Sequence, residues 1–266
     1  QTEKMIEKTE LNADSMLFAK KMGFSDKTIA SLQNSTEQVI RKNRVKMGIK
    51  PVVKQIDTLA GEFEAETNYL YMTYHGQTDD VKPIGNKAFT IIGSGPYCIG
   101  SSVEFDWCAV NTAKTVNKRG YKTIIINSNP ETVSTDFDRS DRLYFDELTL
   151  ERVQDIADFE QAKGIIVSVG GQIANNLALP LAKNKYSIIG TPAQQIDSAE
   201  DRNKFSSLLN KLGIDQPKWQ EVTTLTKAKN FAKQVGYPLL IRPSYVLSGG
   251  AMNVVWSEAE LKKYLE

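Results

Sequence analysis

Between Lys87 and Thr191 the sequence alternates short apolar runs with longer stretches of helical spacing, a rhythm that few folds accept. Ala88–Ile92, Thr123–Asn127, Leu143–Phe145, Gly164–Gly170 and Ser187–Ile189 each read as strands. Their apolar residues are consecutive rather than alternate, which predicts burial on both faces. Helices are predicted over 103–119, 149–159 and 175–183. Strands buried on both faces and separated by helices predict a parallel sheet in an α/β fold. Right-handed crossovers then gather the loops that follow the strands along one rim, where such sheets bind ligands.

The flanking segments read differently. Met16, Leu17, Ala19 and Lys20 predict a helix that stops at Gly23. Ser25 and Asp26 offer a cap for a second helix through Ile29 and Leu32. Ser35 with Gln38 fits a capping box for a third, from Thr36 to about Lys46, closed by Gly48. Residues 52–74 predict only loosely extended chain. The polar stretch Asp79–Asn86, with Pro83 and Gly85, is the expected domain boundary. After Pro192, Asp197 and Ser198 predict a cap for one helix from Ala199 to about Leu212, ended by Gly213. A strand at Trp219–Val222, a helix at Thr226–Val235, a strand at Leu239–Pro243, a small-residue loop over 245–250 and a strand at Met252–Trp256 complete the reading. The sequence holds no internal repeat and no low-complexity tract.

Composition removes several classes of function. With 33 basic and 32 acidic residues the net charge is +1, which gives no electrostatic case for nucleic acid or an anionic membrane as a partner. No apolar run approaches the roughly 18–20 residues of a membrane span. His75 is the single histidine, so a histidine-rich metal site is excluded, and a plain solvated loop residue is expected there. Cys98 and Cys108 are the only cysteines, and they read as buried thiols of a reducing, cytoplasmic compartment. The chain starts without methionine and stops inside an amphipathic helical pattern, so a piece of a longer polypeptide is expected.

Four motifs fall on the rim or near it. Gly93-Ser94-Gly95 follows a strand and opens a helix, but a dinucleotide fingerprint would need glycine at 98, where Cys98 stands. A tight turn that binds no dinucleotide is the better reading. The P-loop pattern is absent. Glu104 and Asp106, just inside the next helix, suit its macrodipole, and a structural role is their default. Asn127–Asp136 concentrates polar side chains around Pro130; a hydrogen-bonded turn and a site-lining loop weigh evenly there. The pair Gly170-Gly171 permits close approach of another backbone or of a ligand. Arg242, at a strand end before Ser248-Gly249-Gly250, could clamp phosphate through its fork of charged donors, although surface arginines beside hairpin turns are common.

Taken in order, these pieces resemble a known family. Gly93-Ser94-Gly95-Pro96 through Glu104-Phe105-Asp106, then Asn129–Asp136, Asp141–Phe145, Gly170-Gly171-Gln172, Ile189-Gly190-Thr191, Ala199–Arg202 and Arg242–Leu247 are similar to the second half of the large subunit of carbamoyl phosphate synthetase. Gly23–Asp26, Lys54–Thr58 and Thr67–Tyr71 extend the resemblance to the start, and Ser101–Val110 resembles the eukaryotic versions, including the multifunctional pyrimidine-pathway proteins.

The resemblance implies a layout and a set of roles. Residues 1–80 would be the end of a helical oligomerisation domain, 81–198 a Rossmann-like pre-ATP-grasp domain, and 199–266 the start of an ATP-grasp domain that phosphorylates carbamate. Arg202 and Arg242 would hold nucleotide phosphate, with Gly249 and Gly250 on the phosphate loop. Ser248-Gly249-Gly250 departs there from the bacterial Gly-Gly-Arg. Ser102, Glu104 and Glu131 would line a water-excluding carbamate tunnel as buried polar groups. The implied cofactors are ATP with Mg²⁺ or Mn²⁺, whose carboxylate ligands would lie beyond residue 266. The implied partners are the rest of the synthetase polypeptide, its glutaminase part and further copies in a homo-oligomer. By itself the chain would be inactive and bind ATP weakly or not at all. Three rivals stand beside this reading: a non-catalytic assembly module, a biotin-dependent carboxylase, and an NAD-dependent oxidoreductase that the failed glycine spacing disfavours.

Overall fold

The computed structural model describes residues 2–8, 11–98, 101–242 and 252–265. The chain divides into two compact units, Gln1–Ala193 and Gln194–Glu266.

The first unit opens with four short helices: α1 (Thr2–Lys8), α2 (Ala13–Lys21), α3 (Asp26–Leu32) and α4 (Glu37–Lys46). Polar caps start three of them, with the side chains of Asn12, Ser25 and Thr36 accepting from backbone N–H groups of the first turn. Thr36, not Ser35, caps α4. Its hydroxyl accepts from Val39 N, so the expected Ser35–Gln38 box does not form. Ile6, Met16, Ala19, Ile29, Ile40 and Ile49 close around Tyr74 as a helical core.

A seven-stranded sheet follows: β1 (Val52–Gln55), β2 (Tyr69–Thr73), β3 (Ala88–Ile92), β4 (Lys122–Ile126), β5 (Arg142–Tyr144), β6 (Gly164–Ile166) and β7 (Ile188–Ile189). Their spatial order is β1-β2-β5-β4-β3-β6-β7, all parallel except the β1–β2 pair. The loosely extended stretch 52–74 therefore supplies two edge strands of the same sheet. β3 and β4 pair in full register from Ala88↔Lys122 to Ile92↔Ile126. Ile91, Ile92, Ile124, Ile125 and Ile126 are fully buried, each worth about 1.5–3 kcal/mol in removed apolar surface. Helices α5 (Val103–Lys118), α6 (Leu150–Glu160) and α7 (Gly171–Lys183) cross between the strands. The chain runs outward from β3 through β4 to β5, then returns to place β6 on the other side of β3. That reversal makes the carboxyl ends of β3, β4 and β6 the crevice of this sheet.

A buried charge cluster fastens the helical segment to α6. Arg44, fully buried, donates from Nε to both carboxylate oxygens of Asp26 at 3.0 Å and from Nη2 to Asp155 at 3.2 Å. Lys20 bridges Asp26 at 3.1 Å and Glu151 at 2.5 Å, while Arg41 pairs with Asp155 and, at 2.7 Å, with Asp158. The Tyr74 ring lies 5.3 Å from the Lys20 ammonium and 5.6 Å from the Arg44 guanidinium. Every buried charge here has an opposite partner, as burial in low dielectric demands. The boundary segment is stitched down too. Asp79 and Asp80 carboxylates accept from Val53 N and Gln55 N, and Glu160 accepts from Ile84 N.

The second unit carries α8 (Ala193–Glu200), α9 (Arg202–Lys211), α10 (Leu225–Val235), the antiparallel pair β8 (Leu239–Ile241) and β9 (Asn253–Val255), and α11 (Glu258–Leu265). The helix expected from Ala199 starts at Arg202 instead, because the Asp201 side chain accepts from Lys204 N and caps it, while the expected caps Asp197 and Ser198 lie inside the preceding helix α8. Trp219–Val222 forms no strand; Val222 packs from irregular chain against the core of Ala228, Ala232, Val255 and Leu261.

Candidate functional site at the sheet rim

The crevice is built on glycines that let backbone meet backbone. A side chain on Gly170 would place Cβ 2.5 Å from the carbonyl oxygen of Ile92 and 2.6 Å from that of Gly93. Of the two possibilities for the glycine pair, the described residues fill this space with the end of β3. Gly95 turns the chain at φ +69°, and its N–H donates to Asn127 Oδ1 at 3.0 Å. Asn127 is fully buried against Gly93, and the same oxygen accepts from Asn129 N at 3.3 Å. One amide thus ties the turn after β3 to the loop after β4.

That loop is the polar run 127–136, and its geometry comes from α5. Asp106 is 3% exposed. Its Oδ2 accepts from Val133 N and its Oδ1 from Ser134 N, each at 2.9 Å, so the short 3₁₀ turn Val133–Thr135 is pinned to the helix. Asn129 Oδ1 accepts from Glu131 N at 3.0 Å, and the Thr132 hydroxyl meets those of Ser134 and Thr135. Two acids at a helix start have separate tasks here. Asp106 faces inward and holds the loop. Glu104 is exposed and takes the hydroxyl of Ser102, a bond that holds its carboxyl below the usual range.

The structure brings Ser102 and Glu104 into contact and fixes the loop of Glu131 against the same helix end. It does not bury the acids. Glu104 and Glu131 are both exposed in this chain, contrary to the expectation of buried wall groups. Exposed apolar side chains occur on the same helix start and loop: Val103 at 63%, Trp107 at 69%, Val133 at 50% and Phe137 at 69%. The thiols also depart from expectation, Cys98 being exposed and Cys108 half-buried. His75 is exposed in its loop, one ring nitrogen 3.1 Å from the Lys21 carbonyl.

In the second unit Arg202 is the first residue of α9, half-buried, and Arg242 stands exposed just after β8. Gly249 and Gly250 lie outside the described residues, as does Pro243. Two permanently charged forks in one unit suit phosphate oxygens. Among the described residues no group of three or more His, Cys, Asp or Glu is placed to hold a metal ion. No described helix is long and apolar enough to cross a membrane.

The resemblance pointed to Ser102, Glu104 and Glu131; Asp106 was expected only as a structural acid at the helix start and Asn127 only as part of the polar run, and neither had an expected partner. Asn127 had a local signal, since an Asn ending a strand before Asn-Pro favours side-chain-to-backbone turns. Asp106 had none, because its partners lie 27 and 28 positions away.

Three family models match successive segments of the chain. Residues 1–48 match the "Carbamoyl-phosphate synthetase large chain, oligomerisation domain", 85–198 the "Carbamoyl phosphate synthase preATP-grasp domain" and 201–266 the "Carbamoyl-phosphate synthase L chain, ATP binding domain". The arginine-specific carbamoyl phosphate synthase large chain of Cutaneotrichosporon cutaneum is 57% identical over 96% of this chain, and the mitochondrial carbamoyl-phosphate synthase [ammonia] of Rattus norvegicus 54% over 100%. The multifunctional protein ura1 of Schizosaccharomyces pombe is 54% identical over 93%. The chain spans 22%, 18% and 11% of the length of these three relatives. Among solved structures, the biotin carboxylase domain of Hydrogenobacter thermophilus 2-oxoglutarate carboxylase, in complex with MgADP and bicarbonate, superposes with a TM-score of 0.50. It covers 66% of this chain and 39% of its own at 20% identity, which is a likeness of fold alone. With three consecutive domains of one enzyme family matched in order and relatives above half identity along its whole length, the chain belongs to the carbamoyl phosphate synthase large-chain family.

Proposed function

We propose that this chain is part of a carbamoyl phosphate synthetase that uses bicarbonate, glutamine-derived ammonia and two ATP, and that it belongs to the half which phosphorylates carbamate. The order of the three matched domains is the observation that carries the reading. In it, residues 1–80 close the oligomerisation domain, 81–198 form the pre-ATP-grasp domain and 199–266 open the ATP-grasp domain.

Phosphoryl transfer to carbamate needs positioning and charge neutralisation rather than a covalent nucleophile. Arg202 and Arg242 would hold phosphate oxygens, and Gly249 and Gly250 would let backbone approach them. Mg-ATP supplies the phosphoryl group when bound. Ser102, Glu104 and Glu131 would face the carbamate path. Carbamate decomposes in water, so that path must be enclosed. The exposure of both acids beside Val103, Trp107, Val133 and Phe137 supports a rim completed by another part of the longer polypeptide. The glutaminase part would be a partner, and a homo-oligomer would form through the helical segment. Balanced charge supports no nucleic-acid or membrane partner. Placement in the cytoplasm, in pyrimidine synthesis, follows the likeness to the multifunctional relatives and would be checked by cell fractionation.

Two measurements test this. The polypeptide containing this chain should form carbamoyl phosphate with two ATP consumed per product, and absence of product would sink the reading. The chain alone should give no calorimetric signal with Mg-ATP at micromolar concentration; tight binding would refute that expectation.

A further inference from the structure

We propose that Asp106 is a positioning residue for the carbamate path: its buried carboxylate sets where Glu131 stands relative to Glu104. The assignment of the path rests on the function proposed above; the clamp itself rests on geometry. Glu104 and Glu131 are exposed, so the placing of one against the other must come from backbone. Glu131 sits between two fixed points. On one side Asn129 Oδ1 accepts from its own N–H at 3.0 Å, and Asn129 in turn is held by buried Asn127. On the other side, Val133 N and Ser134 N each donate to Asp106 at 2.9 Å. Asp106 lies two residues from Glu104 on the same helix, so the clamp joins the two acids through about half a turn of α5.

The side chain is suited to that task and hard to replace. A carboxylate presents two acceptors to two adjacent N–H groups, an arrangement an amide cannot match, because its –NH₂ would face a donor. The negative charge is met by those N–H groups and by the positive end of α5, so burial needs no cation.

The test uses the longer polypeptide and reads ATP consumed per carbamoyl phosphate formed. A residue that only stabilised the fold would lower both quantities together and leave the ratio unmoved. Asp106→Asn is expected to raise the ratio about tenfold, short of the roughly 10²-fold that a full ångström of misplacement can cost, with ATP turnover largely kept. Glu131→Ala should raise it similarly, and the double variant no further, since both act on one element. In parallel, hydrogen exchange on the 266-residue chain should show amides 131–135 exchanging faster in Asp106→Asn, with β3 and β4 unchanged. If Asp106→Asn does not fold, Asp106→Glu keeps both oxygens, displaces the loop by a methylene and is read by the same ratio. Unchanged exchange at 131–135 overturns the clamp. An unchanged ratio in Asp106→Asn with a raised one in Glu131→Ala overturns the positioning role while the path stands. An unchanged ratio in Glu131→Ala removes the path, and the positioning role with it.

Discussion

Replacing Arg44 by methionine is expected to lower the stability of the first unit by about 3–5 kcal/mol, the range seen when one partner of a buried charge pair is removed. The chemistry is asymmetric. Burial by itself pushes the Arg44 pKa down, but Asp155 and Asp26 more than offset it and hold the guanidinium above its usual value. Without it, Asp26 and Asp155 are left with Lys20 and Arg41 alone. Those two cations would then face three buried carboxylates and the half-exposed Asp158. Lysine should recover little, because it cannot reproduce a fork that touches Asp26, Asp155 and the Ile49 carbonyl at once. Urea unfolding followed by circular dichroism should show the midpoint falling by about 1–2 M. The double variant Arg44→Met with Asp26→Asn should cost less than the sum of the singles, since it also removes the stranded charge. A shift below about 1 kcal/mol would mean that water reaches the cluster in solution.

Gly170→Ala is expected to be the second most costly single change, by about 3 kcal/mol, at the upper end of overpacking penalties. Conformation is not the obstacle, because Gly170 has φ −102°. Space is. The new methyl would meet two backbone oxygens, of Ile92 and Gly93, which cannot rotate aside as a side chain can. α7 would have to lift from the end of β3, opening the crevice where Asn127 is buried. Gly171→Ala makes a useful contrast. Its φ of +69° carries a conformational cost of about 1–2 kcal/mol. Thermal unfolding of both variants should order them Gly170 below Gly171, and the reverse order would contradict the packing argument.

These two sites show what could be read from the sequence and what could not. β3 emerges at Ala88–Ile92, where the apolar run and the glycines after it set both ends. The same local physics gave α3 its cap at Ser25 and α10 its span to Val235. Local signals failed where a competing group was equally near, as at Ser35 and Thr36, or where Asp201 could cap as well as Asp197 and Ser198. The short strands β1 and β2 were faint because neither stands alone. β2 is fixed by pairing with β5, whose register joins Tyr69 to Leu143. The Arg44–Asp155 and Asp106–Ser134 contacts were invisible for a different reason: they join positions 111 and 28 residues apart, and nothing periodic in a sequence announces them. At the candidate site, therefore, the resemblance could name Glu104 and Glu131, but only the fold showed what holds their surroundings in place.

On the function proposed above, this chain belongs to the half of a synthetase that transfers phosphate to carbamate. The reverse of that step is the most direct probe, since a site that phosphorylates carbamate must also make ATP from carbamoyl phosphate and ADP. In the longer polypeptide, Arg242→Ala is expected to reduce this ATP formation by about 10²-fold, the scale for removing a group that stabilises transferring phosphate. Bicarbonate-dependent ATP hydrolysis, which the proposed function places outside this half, should persist. Loss of both activities together, or of neither, would contradict the account.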